Sequence, residues 1–446
     1  FYATNTVSLY ATCAPTPTLR FDDLKFKFKF TGGNEFDYYR ECFYGEAMRD
    51  VRVPAAPSEN VRFMGYYTAP DGEGERYFSE TGRPLAGGCY MPSNLTLVAY
   101  FVPTGDFSRV TSLADGYDVY DGVVTLREAL TFMKKRASGA DEQTITFDPA
   151  LFATGDRETT LDLSRGGFAL DNGAHLAIQG PTGPHGLTIK IANTSGGVST
   201  SGGRTAAFAV SRGSLSFRNV TISDQSGSQA RDFAWSGGTL GFYGCTFKNS
   251  AKSGGGCLVR AEGGDLAVEQ CSFRGNSLAG CGVHVLGRCR GHLVDCTFAE
   301  ENNGASAAVA LETTAPAAVA NCTFTKNRAA NGALRILKPS GGVSSNAIVN
   351  CVLLGNTSDG ATPRDVVAED ASAFGHCVWG TIAASGTGAA SRFAAVKQGV
   401  SAEEAFFGDV SEKRVLGVDR AFRIPLGHGA LRDAGATTLH DATWET

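Results

Sequence analysis

Apolar and polar positions alternate in short phrases that return about every 25 residues between residues 245 and 379. Each phrase opens with Cys and carries Phe, Leu or Trp two positions later, as in Cys245-Thr-Phe247 and Cys351-Val-Leu353. Residues two apart in a strand share a face, so the Cys and the larger apolar side chain point to the same side. The pattern predicts short strands that each contribute one apolar pair to a common core.

The period of the repeat is nearly constant, because its six cysteines follow one another at intervals of 26, 25, 26, 29 and 26 residues. A fixed period of this length is the signature of a solenoid. Gly and Asn follow the apolar phrases and tolerate the left-handed backbone angles of tight corners. The turns are therefore predicted to stack as parallel strands about 4.8 Å apart.

The predicted fold is all-β, a parallel β-helix with about 25 residues per coil and about nine or ten coils over residues 149–385. Residues 386–446 are expected to form closing coils and a C-terminal cap. The predicted inward ladder comprises Cys245, Cys271, Cys296, Cys322, Cys351, Cys377, Phe247, Phe273, Phe298 and Phe324.

Twelve cysteines could indicate disulfides, metal binding or core packing. Stacked residues on adjacent parallel strands have Cβ vectors that run side by side, which disfavours a disulfide. A buried free thiol behaves as a small hydrophobic group. The ladder is therefore predicted to consist of free thiols. For Cys257 and Cys281, stacking as small inward residues and a surface disulfide both remain open.

Residues 16–104 follow a different pattern, with predicted strands over 24–30 and 61–67. The segments Phe63-Met-Gly-Tyr-Tyr67 through Gly74, and Asn94-Leu-Thr-Leu97, resemble the internalin B repeat, also called the Listeria-Bacteroides repeat. The resemblance implies a small β-grasp-like module of bacterial surface proteins that acts as a spacer or weak binding unit. Residues 1–15 alternate in the same way as 94–103 and are expected to be the last strand of a preceding module.

Residues 105–148 are predicted to lead into the β-helix and to contain a helix over 126–138. Thr125 and Glu128 have the spacing of a capping box, and Leu126, Leu130 and Met133 lie on one apolar stripe. The stretch from Val110-Thr-Ser-Leu-Ala-Asp through Leu126-Arg-Glu-Ala resembles the segment that precedes pectin-lyase-like β-helices in secreted bacterial proteins. The resemblance implies that the helix caps the first coil.

The Asn-Cys-Thr-Phe phrases resemble the repeats of bacterial right-handed β-helix surface proteins, which implies a right-handed coil. The chain is Gly-rich, with 56 Gly among 446 residues, and it is long enough to bury an extended core. The formal charge of −5 and the lack of any basic block argue against nucleic acid as a partner. No apolar run is long enough to predict a membrane span.

A glycosidase would need two carboxylates a few ångströms apart. Acidic residues in the coils are scattered singly; Glu269 and Asp295 lie near equivalent positions of consecutive coils, where solvated surface carboxylates are the expected background. The tripeptide Gly427-His428-Gly429 resembles part of a polygalacturonase site, but its partner residues are missing and a turn is the favoured interpretation. No catalytic residue and no cofactor are predicted.

Two Cys/His pairs, Cys281 with His284 and Cys289 with His292, offer ligand types suited to tetrahedral Zn²⁺. Residues three apart would face opposite sides of a regular strand, which weighs against a metal site. These four residues are therefore a weak metal candidate, and no metal is predicted.

An aromatic cluster of Phe233, Trp235, Phe242 and Tyr243 lies where the coil pattern is irregular. It is the best candidate for a contact patch that binds a sugar or a protein, and the alternative is core beneath a loop. Asn residues recur at the corners and are predicted to stack there, satisfying buried backbone groups. They are Asn249, Asn276, Asn327 and Asn356.

The predicted function is that of a non-enzymatic extracellular protein, secreted by a bacterium or held on its surface, acting as an adhesin or structural stalk. Its expected partners are a surface glycan or another extracellular protein, with self-association left open. One alternative is a pectin-lyase-like carbohydrate-active enzyme, either a polysaccharide lyase or a glycoside hydrolase. Another is a subunit of an extracellular filament.

Overall fold

A computed structural model describes 25–32, 37–57, 61–90, 93–104, 106–118, 121–136, 141–152, 158–182, 186–191, 198–199, 205–224, 231–254, 256–394 and 396–399. The described residues fall into two compact units. The first extends to residue 106 and includes 118–123, and the second contains 107–117 and everything from 124 onward. No helix in the described ranges has both the length and the hydropathy needed to span a bilayer.

The first unit is a small five-stranded mixed sheet in the order β2-β1-β5-β3-β4. Its strands are β1 (Lys25–Thr31), β2 (Tyr38–Phe43), β3 (Val61–Tyr67), β4 (Arg76–Phe78) and β5 (Leu95–Pro103). β1 and β5 pair in parallel and the other neighbours pair antiparallel. The buried rings of Phe30, Tyr66 and Phe78 pack against one another on this sheet. The prediction of a small β module in this part of the chain is therefore confirmed.

The second unit contains helix α1 (Leu126–Arg136), whose first turn is fixed by the predicted capping box. The backbone N–H of Thr125 donates to Glu128 Oε2 at 2.9 Å, and the N–H of Glu128 donates to Thr125 Oγ1 at 3.2 Å. Leu126, Leu130 and Met133 are buried, as the apolar stripe predicts. The helix packs on the first coils of the β-helix, which confirms the predicted cap.

The strands of the second unit are short and closely spaced. In chain order they are β6 (Arg109–Val110), β7 (Gln143–Phe147), β8 (Glu158–Leu163), β9 (Phe168–Leu170), β10 (His175–Gln179), β11 (Gly186–Ile191), β12 (Val198–Ser199), β13 (Thr205–Val210), β14 (Ser214–Arg218), β15 (Thr221–Asp224), β16 (Arg231–Trp235), β17 (Thr239–Tyr243), β18 (Thr246–Lys248), β19 (Ala251–Lys252), β20 (Val259–Ala261), β21 (Asp265–Glu269), β22 (Ser272–Arg274), β23 (Ser277–Leu278), β24 (Val283–Gly287), β25 (Arg290–Val294), β26 (Thr297–Ala299), β27 (Asn302–Gly304), β28 (Val309–Thr313), β29 (Pro316–Ala320), β30 (Thr323–Thr325), β31 (Arg328–Ala329), β32 (Leu334–Ile336), β33 (Ser345–Val349), β34 (Val352–Leu354), β35 (Val366–Ala368), β36 (Ser372–Gly375), β37 (Val378–Trp379), β38 (Ile382–Ala384), β39 (Arg392–Ala394) and β40 (Lys397–Gln398). Short 3-10 helices occupy Pro149–Phe152 and Gly386–Ala390.

These strands form a right-handed parallel β-helix in which every turn adds one strand to each of three long sheets. The first sheet runs from β6 and β7 through β10, β14, β17, β21, β25, β29, β33 and β36 to β39. The second sheet has ten strands from β8 to β40, which agrees with the nine or ten predicted coils. The third runs from β12 and β13 to β38, and a four-stranded sheet, β19-β23-β27-β31, fills one corner of the middle coils.

The core contains a continuous column of aromatic rings, as predicted. Phe247, Phe273, Phe298 and Phe324 occupy the same register on successive strands of the second sheet. Their ring centroids are 4.4, 4.5 and 4.8 Å apart, and the planes are inclined by 3°, 13° and 6°. The four side chains are fully buried. The alternation in the sequence therefore sets both the strand and its inward face.

The six cysteines of the predicted ladder stack along the corner between the first and second sheets as free, buried thiols. Each sulfur lies within hydrogen-bonding distance of a backbone carbonyl on the previous coil; for example, Cys296 Sγ is 3.2 Å from the oxygen of Val268. Burial raises the pKa of the Cys271 and Cys322 thiols, so both favour the neutral form. The free-thiol prediction is confirmed for this ladder.

A second buried ladder is polar and follows the opposite end of the second-sheet strands. Asn276 donates from Nδ2 to the carbonyl of Phe247 at 3.0 Å, and the side-chain oxygens of Asn276 and Asn327 accept from backbone N–H groups of the preceding coil. Its described members are Asp224, Ser250, Asn276, Glu301, Asn327, Asn356 and Asp365. The stacking prediction is confirmed for Asn276, Asn327 and Asn356.

Asn249 does not belong to this ladder, because it lies one residue before the ladder position held by Ser250. It adopts a left-handed backbone conformation with φ 53° at the corner itself. An asparagine suits that conformation better than most residues do. The prediction for Asn249 was therefore wrong by one position.

Some predictions fall outside the described residues. They concern the preceding module at 1–15, the start of the 16–104 module up to residue 24, the last two residues of the 126–138 helix, and 400–446 with Gly427-His428-Gly429.

Candidate functional site

The predicted aromatic contact patch is not a surface patch, because the coil register buries most of it. Phe233, Trp235 and Phe242 are 1%, 1% and 0% exposed. The Phe233 ring lies 4.8 Å from that of Phe242 inside the coil. These three side chains cannot contact a ligand, and the core alternative describes them correctly. Tyr243 is partly exposed on the outer face, where the Arg218 guanidinium lies 5.7 Å from its ring centroid.

The candidate site of this chain is instead a cluster of Cys257, Cys281 and His284. Their ligand atoms all lie within 4.8 Å of one another. Within the described ranges this is the group of Cys, His and acidic side chains that converges closely enough to hold an ion. The three residues come from two consecutive coils. Cys257 lies just before β20, Cys281 lies just before β24, and His284 lies within β24.

Local backbone geometry explains why the alternation argument failed here. Strand β24 begins at Val283, so Cys281 precedes the strand and is not bound by its alternation. His284 then projects outward between the inward-facing Val283 and Val285. Cys281 approaches His284 from the preceding bend.

The two cysteines do not point into the main core, as the stacking alternative proposed. They form a small separate cluster with Ala310 and the partly buried Leu337. Ala310 is the outward residue of β28 that pairs with His284. Its small side chain leaves room for the cluster on the outer side of the third sheet.

Two further side chains orient the cluster. Ser306 Oγ lies 2.9 Å from Cys281 Sγ, and Glu312 Oε2 lies 3.2 Å from His284 Nε2. On the other side of the ring, Arg260 Nη1 is 3.4 Å from His284 Nδ1, while Arg260 Nε donates to Glu262 Oε1 at 2.6 Å. The imidazole is thus held from both of its nitrogens.

The three groups of the cluster shift one another's pKa values. The hydrogen bond from the Cys281 thiol, with a second from His284, holds the pKa of Cys257 well below its usual value. Burial lowers the pKa of His284, but hydrogen bonds to Cys257 and Glu312 outweigh burial and raise it. The hydrogen bond to Cys257, together with burial, raises the pKa of Cys281. The directions of these shifts favour loss of a proton from Cys257 over loss from Cys281.

Such a set of groups could bind a thiophilic metal, form a disulfide or act as a thiolate nucleophile. The nucleophile interpretation requires access of a substrate to sulfur, and Cys257 is only 5% exposed. Metal binding and disulfide formation need no access for a large molecule.

The other half of the weak metal candidate lies elsewhere. Cys289 is fully buried, with Sγ 3.5 Å from the carbonyl of Arg290, and His292 is exposed on the outer face of β25. The proposed set of four ligands is therefore wrong. The missed residue is Cys257, and its signal was present: Cys257 and Cys281 each stand two residues before Val259 and Val283, which pair in register.

The two carboxylates considered for glycoside hydrolysis do not share a register position. Glu269 pairs with Val294, and Asp295 lies one residue later at a corner with φ 54°. Asp295 Oδ1 accepts from Asn321 Nδ2 at 3.0 Å, as part of a corner ladder.

Comparison with known proteins agrees with this architecture. Residues 188–353 match a family model described as a right handed beta helix region. No curated protein and no solved structure matches the chain. The fold and this match define a protein that contains a right-handed parallel β-helix.

Proposed function

We propose that this chain is a rigid extracellular scaffold, an adhesin or stalk that a bacterium secretes or holds on its surface. The observation that carries the proposal is the continuous stack of coils, in which parallel strands follow one another from β7 to β40. Such a stack is stabilised by contacts between neighbouring coils, so it suits the task of holding a surface or a partner at a distance.

Ion pairs on the outer surface support this role. Arg335 Nη2 lies 2.6 Å from Glu369 Oε1, and Arg290 Nε lies 2.5 Å from Asp265 Oδ1, each pair bridging two adjacent coils. These carboxylates form ion pairs with neighbouring arginines. The arrangement favours cohesion between coils over acid–base chemistry, although an exposed pair contributes only about 0 to 1 kcal/mol.

Tyr243 is the most suitable contact residue on the outer face of the first sheet. Its ring is flanked by Arg218, and both belong to strands that lie side by side in that sheet. An aromatic ring with a polar rim can pack on a sugar ring or on a protein surface. We propose that a glycan or an extracellular protein binds along this face.

Binding and turnover can be tested together with the purified chain on an array of bacterial and host glycans. We expect retention on at least one glycan class that falls at least about tenfold in Y243A, because loss of one central aromatic contact typically costs more than 1 kcal/mol. Y39A is the matched control, since Tyr39 is an exposed tyrosine of the first unit.

The same preparations are assayed for new reducing ends and unsaturated products on the retained glycans. The proposal expects no turnover above that of heat-denatured protein. Turnover that persists through purification would instead support the carbohydrate-active enzyme and contradict the scaffold.

A further inference from the structure

The outer side of the third sheet carries two thiols and an imidazole within 4.8 Å of one another, contributed by two consecutive coils. We propose that Cys257, Cys281 and His284 bind one thiophilic divalent metal ion of the Zn²⁺ class. Thiolate and imidazole are the ligand types that zinc prefers in proteins.

The dimensions of the cluster are close to those of a zinc site. Zn–S and Zn–N bonds of about 2.3 and 2.0 Å place neighbouring ligand atoms of a tetrahedron about 3.3 to 3.8 Å apart. The observed spread of up to 4.8 Å therefore requires movements of about 1 Å or less per ligand atom. Side-chain rotation at the bends that precede β20 and β24 can supply movements of that size without breaking the strands.

Supporting contacts of the type found around protein zinc sites are already in place. A histidine ligand usually donates its second ring N–H to a carboxylate, which fixes the ring and its tautomer. Here Glu312 Oε2 lies 3.2 Å from His284 Nε2, so Nδ1 is the nitrogen left for the metal. Ser306 Oγ, 2.9 Å from Cys281 Sγ, orients that sulfur in the same way.

Arg260 is a cation that contacts the site, with Nη1 3.4 Å from His284 Nδ1. It is also bound to Glu262 at 2.6 Å, so it can keep that partner when the metal takes Nδ1. Two thiolates neutralise the charge of a divalent ion, which leaves no net charge for Arg260 to repel.

Three protein ligands leave the fourth tetrahedral position to water or to a group from outside the protein. The His284 side chain is 13% exposed, so one edge of the cluster reaches solvent. A disulfide between Cys257 and Cys281 would remove both thiolates and exclude the metal. Both cysteines are free thiols in the structure, so the pair is available to a metal ion.

The test is a titration of the full chain with Co²⁺ and then Zn²⁺, after treatment with a chelator and a thiol reductant. We expect one Co²⁺ per chain, with the sulfur-to-cobalt charge-transfer absorption of a thiolate site, and displacement of cobalt by one equivalent of Zn²⁺. C257S, C281S and H284A should each weaken binding by at least about 100-fold.

Two matched controls come from the residues that the fold keeps apart from the cluster. C289S removes a buried cysteine and H292A removes an outward histidine, and both should bind Co²⁺ as the unmodified chain does. Circular dichroism of each metal-free variant checks folding. Should H284A fail to fold, E312Q replaces it and should weaken binding about tenfold, because supporting partners of metal ligands typically contribute that much.

Three results would overturn the proposal. One is the absence of the charge-transfer absorption in the reduced chain. Another is unchanged affinity in C281S and H284A, or an equal loss in C289S. The third is a Cys257–Cys281 disulfide that resists reductant in the folded protein, shown by peptide mapping.

Discussion

Glu301 shows how a single residue of a repeating ladder can lower the stability of the folded state. It occupies a position that Asn fills on neighbouring coils, and it is 1% exposed. Its Oε1 accepts from the backbone N–H and Nδ2 of Asn276, whereas Oε2 has no hydrogen-bond partner among the residues that the structure describes. Burial raises the pKa of this carboxyl group to about 8. Near neutral pH the folded state therefore retains a proton that the unfolded chain releases.

This shift predicts how the stability of the β-helix depends on pH. Below about pH 4.5 both states are protonated and the group has no effect. As pH rises from there to about 8 the unfolded state gains by ionising, so the folded state should lose a few kcal/mol of stability. E301Q should abolish that loss, because Gln keeps the acceptor for Asn276 and has no proton to release.

Urea unfolding at a series of pH values measures the effect. Tryptophan fluorescence reports on the coils, since Trp235 and Trp379 are buried in them. E300Q is the control, because Glu300 is the exposed neighbour of Glu301 and its removal should leave the pH dependence unchanged. Equal pH profiles for E301Q and the unmodified chain would contradict this account.

At the scale of the element, each second-sheet strand contributes a ring that is covered on both sides. Phe298 stacks on Phe273 at 4.5 Å and on Phe324 at 4.8 Å. Its neighbour in the same strand, Thr297, faces outward and is half-buried. We therefore expect the inward residue to make the larger contribution of this strand to the free energy of unfolding.

F298A should lower the free energy of unfolding by about 3 to 5 kcal/mol, because it leaves a cavity between two rings that cannot close it. T297A, in the same strand, should cost about 1 kcal/mol or less. Denaturant titration of both variants measures the difference. Similar costs for the two substitutions would contradict the inward placement of Phe298.

The sequence predicts those elements whose pattern recurs with the coil period. The Cys and Phe columns follow from it because one inward pair returns in each coil. Phe233 and Phe242 were misassigned since they lie before the first Cys phrase. Yet Phe208 and Phe217 stand 25 residues before them and pair with them in register, and that spacing would have placed both in the core.

The metal cluster could not be predicted in full, for a different physical reason. Alternation describes residues within strands, and Cys257 and Cys281 lie in bends just before strands. Convergence of their sulfurs with His284 depends on the backbone path through those bends. The short corner strands could not be predicted for a similar reason. β19 and β23 have two residues each, which is too short for an alternating pattern, and they form by pairing with the strands of neighbouring coils.

For the whole β-helix, stability is a sum over coils and the contacts between adjacent coils. Two side-chain columns, one of thiols and rings and one of polar groups, run through the middle coils. Helix α1 covers the first coil and protects its strand edges from pairing with another chain. A scaffold of this kind gains length by adding coils without changing its cross-section.

The most direct test of the stacked coil is a set of distances between spin labels along the first sheet. Ser345 on β33 is the fixed position, and Thr239, Ser214 and His175 lie four, five and six strands away. Each pair is changed to cysteine and labelled, with the unmodified chain as control for the buried native thiols.

Electron–electron double resonance should give separations of about 19, 24 and 29 Å for the three pairs, rising by about 4.8 Å with each added strand. Distances that fail to rise in equal steps would contradict the stacked coil and the scaffold role built on it.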